Sequence, residues 1–181
     1  MDSRGKPRFD DVIGMGMAEK TLRKIETRTT LMINNKIIIG ISTGDVNGVG
    51  PEVIIKTFDN PAMLEVCTPV VFGSSKLISY YKKTIGSELP FVGIDNLSQV
   101  ITGKLNILNI WNDVPAITPG KETEEGGRLA FSSLSAAVKA LSEGPLDALV
   151  TAPINKKNIQ GPGFDFPGHT EYLASVLGGE P

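Results

Sequence analysis

The sequence predicts an α/β domain with a mostly parallel sheet and flanking helices, on three observations. From residue 36 onward, short β-branched runs alternate with amphipathic stretches. The first run, KIIIGIS at 36–42, is almost continuously apolar, as expected of a strand buried on both faces beneath helices. Farther on, Ala130, Leu134, Ala137, Val138 and Leu141 recur at helical spacing before a Gly144-Pro145 stop.

Taken in order, the strands are expected at 36–42, 69–73, 90–94, 105–110 and 146–151. Helices are expected at 51–58, where Pro51 suits a first helical position, and at 75–84, 124–142 and 170–177. There is no internal repeat and no low-complexity tract. A helix ending in Gly178-Gly179 would hand over to a further strand in such an architecture. Residues 36–181 are therefore expected to form a partial α/β domain, incomplete at the C-terminus, with an unfilled sheet edge liable to aggregate.

Residues 1–35 read as an N-terminal extension, a tail or tag open to disorder. Its first 31 residues mix seven basic with five acidic side chains and have no apolar core segment. That pattern fits neither a secretory signal nor an acid-poor presequence, although a short helix at 18–28 is compatible with it.

Composition narrows the function classes. Forty per cent apolar content with mean hydropathy near zero is that of a globular protein, and no apolar run approaches the roughly 18 to 20 residues of a membrane span. Eighteen basic and twenty acidic residues leave a charge of −2, too balanced to hold nucleic acid by bulk charge. The one cysteine, Cys67, lies in an apolar stretch with no basic cluster beside it. It reads as a small buried residue, and the cysteine usage fits a cytoplasmic protein.

Two loops carry the candidate chemistry. STGDVNGVGPE at 42–52 follows the first strand and opens a helix, and Gly44, Gly48 and Gly50 allow close backbone approach and N–H groups turned toward an anion. Its GxxxGxG spacing is neither a dinucleotide fingerprint nor a P-loop. Asp45 and Glu52 would repel a dianion, so the turn fits either a pocket for hydroxyl, amine or nicotinamide groups, with Asp45 on its wall, or a tight turn bonded to itself.

The second loop, TAPINKKNIQGPGFDFPGHTE at 151–171, follows the strand LDALVT. If both strands are parallel, both loops open on the one crevice where α/β sheets bind ligands. His169 is the only histidine of the chain and stands with Thr170 just ahead of a helix start. Imidazole, hydroxyl and helix-start N–H groups there could converge on one oxyanion. The plainer reading of a lone histidine is a satisfied structural residue. Lys156 could supply a cation for phosphate or carboxylate, or be an exposed lysine only.

Together, STGDVNGVGPE, TAPINK at 151–156 and PGHTE at 167–171, with the helix GGRLAFSSLSAAVKAL between them, resemble the 4-hydroxythreonine-4-phosphate dehydrogenase family over about residues 36–181. That family's chains carry a TPGDPAGIGPE-like loop followed by TAPINK and PGHTE. The resemblance implies an isocitrate/isopropylmalate-dehydrogenase-like fold. It also implies NAD-dependent oxidation of the secondary alcohol of 4-phosphohydroxy-L-threonine, then decarboxylation to an aminoacetone phosphate, on the way to pyridoxal phosphate (vitamin B6).

By the same resemblance His169 and Thr170 contact substrate, and a divalent metal (Zn, Mg or Co) is held by three histidines of later motifs. The chain has no histidine beyond His169, so its metal ligands are expected to be absent and this partial chain inactive alone. A homodimer whose sites draw on both subunits is implied for the complete protein. Thr43, Val46 and Asn47 depart from the family's Pro, Pro and Ala. The rivals are a dehydrogenase of tetronate 4-phosphates, a non-catalytic α/β module without the metal site, and an unrelated nucleotide-binding protein.

Overall fold

The computed structural model describes residues 36–113, 116–161 and 163–179. The expected helix at 18–28, and the extension that holds it, lie outside the described residues. Five parallel strands form one sheet in the order β3-β4-β2-β1-β5: β1 (Ile37–Ser42), β2 (Cys67–Gly73), β3 (Phe91–Ile94), β4 (Leu105–Asn109) and β5 (Ala148–Thr151). Between and after them run α1 (Gly50–Phe58), α2 (Pro61–Val66), α3 (Ser75–Ile85), α4 (Glu124–Glu143) and α5 (His169–Leu177). All five expected strands and four expected helices are present, with ends within a residue or two. The helix α2 and a 3-10 turn at Leu97–Gln99 are additional.

Alternation along the strands distributes the core. Ile41 and Val71 point to the face covered by α1 and α3, where Ile54, Ile55, Leu77 and Ile78 meet them. Ile38, Val70 and Phe72 point to the opposite face, against Ala137 and Ala140 of α4. Every residue of β2 is buried, as befits the central strand. Each fully buried aliphatic side chain contributes about 1.5–3 kcal/mol to this three-layer packing. Cys67 is buried as expected, and burial raises its thiol pKa, with Lys36 as a smaller opposing influence.

Caps set the helix ends. Asn60, Ser74 and Thr123 accept first-turn N–H groups of α2, α3 and α4, and Gly144 closes α4 where the sequence stop was expected. Among the described residues no helix is long and apolar enough to cross a membrane.

Candidate functional site

β1 and β5 pair in parallel, with Ser42 opposite Thr151, so the two chemistry-bearing loops leave from adjacent carboxyl ends. The ladder continues past the strands: Ala152 N donates to Ser42 O at 3.2 Å and Asp45 N to Pro153 O at 3.0 Å. Gly44 has φ +66°, and a Cβ there would stand 2.2 Å from Pro153 O, so the approach admits glycine alone.

The turn after β1 is tied inward. Asp45 is buried; its Oδ1 accepts from Asn47 N at 2.9 Å and its Oδ2 from Asn158 Nδ2 at 3.0 Å. Gly126, in the first turn of α4, lies so close that a Cβ would be 2.8 Å from Asp45 Oδ1. The carboxylate therefore sits at the positive end of α4, which offsets part of its burial cost. Asn47, also buried, accepts from Thr118 N at 2.8 Å and donates to Thr123 Oγ1 at 3.0 Å. Tyr81 OH donates to Val46 O at 2.8 Å, and its phenol pKa is pushed up to about 12, first by burial and then by Tyr80, Asp45 and Glu52.

This arrangement decides between the readings of the glycine turn. The N–H groups of Asp45, Asn47 and Gly48 all donate to protein acceptors, so they form no anion cradle. What remains is a cleft of about 370 Å³ bounded by Asp45, Asn47, Val49, Lys121, Glu122 and Asn155. Its walls offer two amides and two carboxylates against the single Lys121 cation, a balance that suits hydroxyl or amine groups better than a phosphate. Asp45 thus lines a pocket and also serves as the turn's own acceptor.

The loop after β5 is held at several points. Asn155 Oδ1 accepts from Lys157 N at 2.9 Å, closing a turn around Lys156, and Asn158 reaches Asp45. Ile159 is buried beside Phe164 and Tyr172, and the rings of Phe131, Phe164, Phe166 and Tyr172 meet at centroid distances of 5.4 to 5.7 Å. This aromatic cluster anchors the end of the loop, where Gly168 precedes α5.

Lys156, His169 and Thr170 gather at that end and do not line the cleft. Lys156 Nζ is 4.0 Å from where a Gly168 Cβ would stand, and no side chain caps α5. His169 is half-buried, with Nε2 shielded from solvent and without a hydrogen-bond partner, while Thr170 and Lys156 are exposed. Burial, then the Lys156 cation, lower the His169 pKa, so the imidazole is neutral at pH 7. The Lys156 cation and the uncapped α5 N–H groups can together attract a carboxylate or phosphate, against the Glu171 carboxylate, whose Oε2 lies 3.4 Å from the same Gly168 position.

The described residues do not fit a metal centre. Among them no group of three or more His, Cys, Asp or Glu side chains is placed to hold an ion. The one imidazole, moreover, has a lysine cation beside it, which opposes a divalent ion.

Sequence reasoning missed Asn158, Thr123 and Ser133. Ser133 is fully buried, accepts from Thr43 N at 2.8 Å and donates to Phe72 O at 2.5 Å, fixing the start of the glycine turn to α4. A serine on the apolar face of a helix, one position before Leu134, was the available signal. Asn158 had none, because its partner lies 113 positions away.

Comparison with known proteins agrees with this architecture. The family described as pyridoxal phosphate biosynthetic protein PdxA matches residues 65–181. The chain is 44% identical over 147 residues to a 4-hydroxythreonine-4-phosphate dehydrogenase of Bacteroides thetaiotaomicron, covering 81% of this chain and 40% of that protein. It is 34% identical over 151 residues to a Clostridium botulinum protein provisionally named D-threonate 4-phosphate dehydrogenase, covering 80% and 44%.

The crystal structure of a 4-hydroxythreonine-4-phosphate dehydrogenase from Burkholderia phymatum superposes with a TM-score of 0.74 at 29% identity, over 81% of this chain and 45% of that one. The chain thus spans under half the length of the relatives it matches. With its five-stranded parallel sheet and its match over residues 65–181, the chain belongs to the PdxA family of pyridoxal phosphate biosynthetic proteins.

Proposed function

We propose that this chain forms the substrate-side portion of an NAD-dependent dehydrogenase that oxidises the secondary alcohol of 4-phosphohydroxy-L-threonine, with decarboxylation, in pyridoxal phosphate synthesis. The observation that carries this reading is the parallel pairing of β1 with β5, which sets both motif loops on one sheet edge. The name and 44% identity of the Bacteroides relative support the substrate.

In this reading Lys156 and the first-turn N–H groups of α5 take an anionic end of the substrate. His169 Nε2, unpartnered but shielded from solvent, meets a hydroxyl or carboxyl proton only once the surrounding loop shifts, and exposed Thr170 adds a hydroxyl contact. The cleft beside Asp45 and Asn47 takes uncharged polar groups. NAD would supply the hydride acceptor, and the N–H groups of Asp45, Asn47 and Gly48, bonded inward, are not free to cradle its pyrophosphate. A divalent metal does not fit the described residues either, so no step runs through one.

Because the family resemblance assigns that metal to three histidines and this chain has one, the 181 residues are inferred not to turn over alone. The complete enzyme is proposed to be a cytoplasmic homodimer. A dehydrogenase acting on D-threonate 4-phosphate is the second reading, favoured by the 34% identity to the clostridial relative.

A panel of 4-phosphohydroxy-L-threonine, D-threonate 4-phosphate and D-erythronate 4-phosphate, assayed for NAD reduction by the intact gene product, separates the two. Preference for the amino acid is expected. Turnover of the tetronates alone would move the protein out of pyridoxal phosphate synthesis.

A further inference from the structure

We infer that the hydrogen bond between Asp45 and Asn158 is a positioning contact that sets Lys156 against the first turn of α5, linking the turn after β1 to the anion-binding end of the loop after β5. Its functional meaning rests on the proposed reading of His169, Thr170 and Lys156. The contact itself stands on geometry alone.

Lys156 is carried between two pinned points. Before it, Pro153 O accepts from Asp45 N at 3.0 Å; after it, Asn158 Nδ2 donates to Asp45 Oδ2 at 3.0 Å. One buried residue therefore holds both flanks of the lysine, through its backbone and its side chain. Asn155 Oδ1, accepting from Lys157 N, closes the short turn between them. The short span between the two bonds limits how far the backbone at Lys156 can move while both hold.

The α4 start is shaped to admit this contact. A Cβ on Gly127 would stand 1.8 Å from Asn158 O, and one on Gly126 would stand 2.8 Å from Asp45 Oδ1. Two adjacent glycines lower helix propensity by about 1 kcal/mol each, a cost that the close approach of Asn158 and Asp45 to the helix accounts for. Asn158 Oδ1 is buried without a partner, so Asp45 alone holds this side-chain amide. Losing the Asp45 bond would remove the one side-chain tie of Asn158 and loosen the turn that carries Lys156, which Asn155 and buried Ile159 still hold in part.

The only histidine of the chain makes the test direct, because its imidazole gives a single titrating set of proton NMR signals. Burial and the Lys156 cation both hold His169 in its neutral form. In the 181-residue chain, Asn158→Leu is expected to raise the pH at which His169 titrates, in the same direction as Lys156→Met. Asp45→Asn, which keeps an acceptor for Asn47 N, should give a smaller rise, and the swap Asp45→Asn with Asn158→Asp should move it back toward wild type.

A purely structural role would lower the unfolding midpoint and leave the titration where it was. A folded Asn158→Leu variant with a wild-type His169 titration would overturn the proposal. If that variant does not fold, the unmodified chain supplies the measurement: the Asn158 side-chain amide protons are expected to exchange slowly with water, and fast exchange refutes the contact. Failure of every phosphorylated acid in the NAD assay would remove the dehydrogenase reading and leave these results standing. An unmoved titration does the opposite.

Discussion

At the scale of single residues, two positions decide most. Gly44 combines φ +66° with a Cβ position 2.2 Å from Pro153 O, so Gly44→Ala faces both backbone strain and a clash with a carbonyl that cannot retreat without breaking the Asp45 bond. A loss of about 3 kcal/mol in urea unfolding is expected. His169 carries the pH dependence. Its folded pKa lies below the ordinary 6.5, so the unfolded chain binds the proton more readily. Stability from this group is complete above 6.5 and is lost as pH falls from there through the folded value. The thermal midpoint should drop across that window in the wild type, and His169→Gln should flatten this component of the profile.

At the scale of elements, Thr123 joins two structures through one hydroxyl, which accepts from Gly126 N as the cap of α4 and from Asn47 Nδ2 of the glycine turn, both at 3.0 Å. Thr123→Ala is expected to cost about 1–2 kcal/mol, more than the cap alone, and Asn47→Ala in the Thr123→Ala background should add less than it does in the wild type. The strands and the long helix were legible because periodicity of side chains is a local property: KIIIGIS and the spacing from Ala130 to Leu141 need no partner to be recognised. The short α2 was not, since its six residues are too few to show a helical period and none is fully buried, although Asn60 and Pro61 mark its start. The motif loops stood out in the sequence as candidates for chemistry through Gly44, Asp45, His169 and Thr170. Their mutual arrangement did not, because Asp45 with Asn158 and Asn47 with Thr123 meet across separations that leave no pattern along the chain.

At the scale of the whole molecule, the strand order β3-β4-β2-β1-β5 places the fully buried β2 at the centre and β3 and β5 outermost. Amide hydrogen exchange should follow that order, with Val70, Val71 and Phe72 opening only on global unfolding and the amides of β3 and β5 opening earlier. Residues of β5 in early exchange would agree with a ligand site built on a yielding edge. The β1 and β5 junction has a consequence in time as well. Ile38 N donates to Asp147 Oδ2 across 109 positions, so the three intervening strands must be synthesised, and a long loop closed, before that junction can form. Within the described sheet the crevice is consequently among the last parts to form. A metabolite can select the finished pocket, but it has nothing to grip until β5 has emerged and docked.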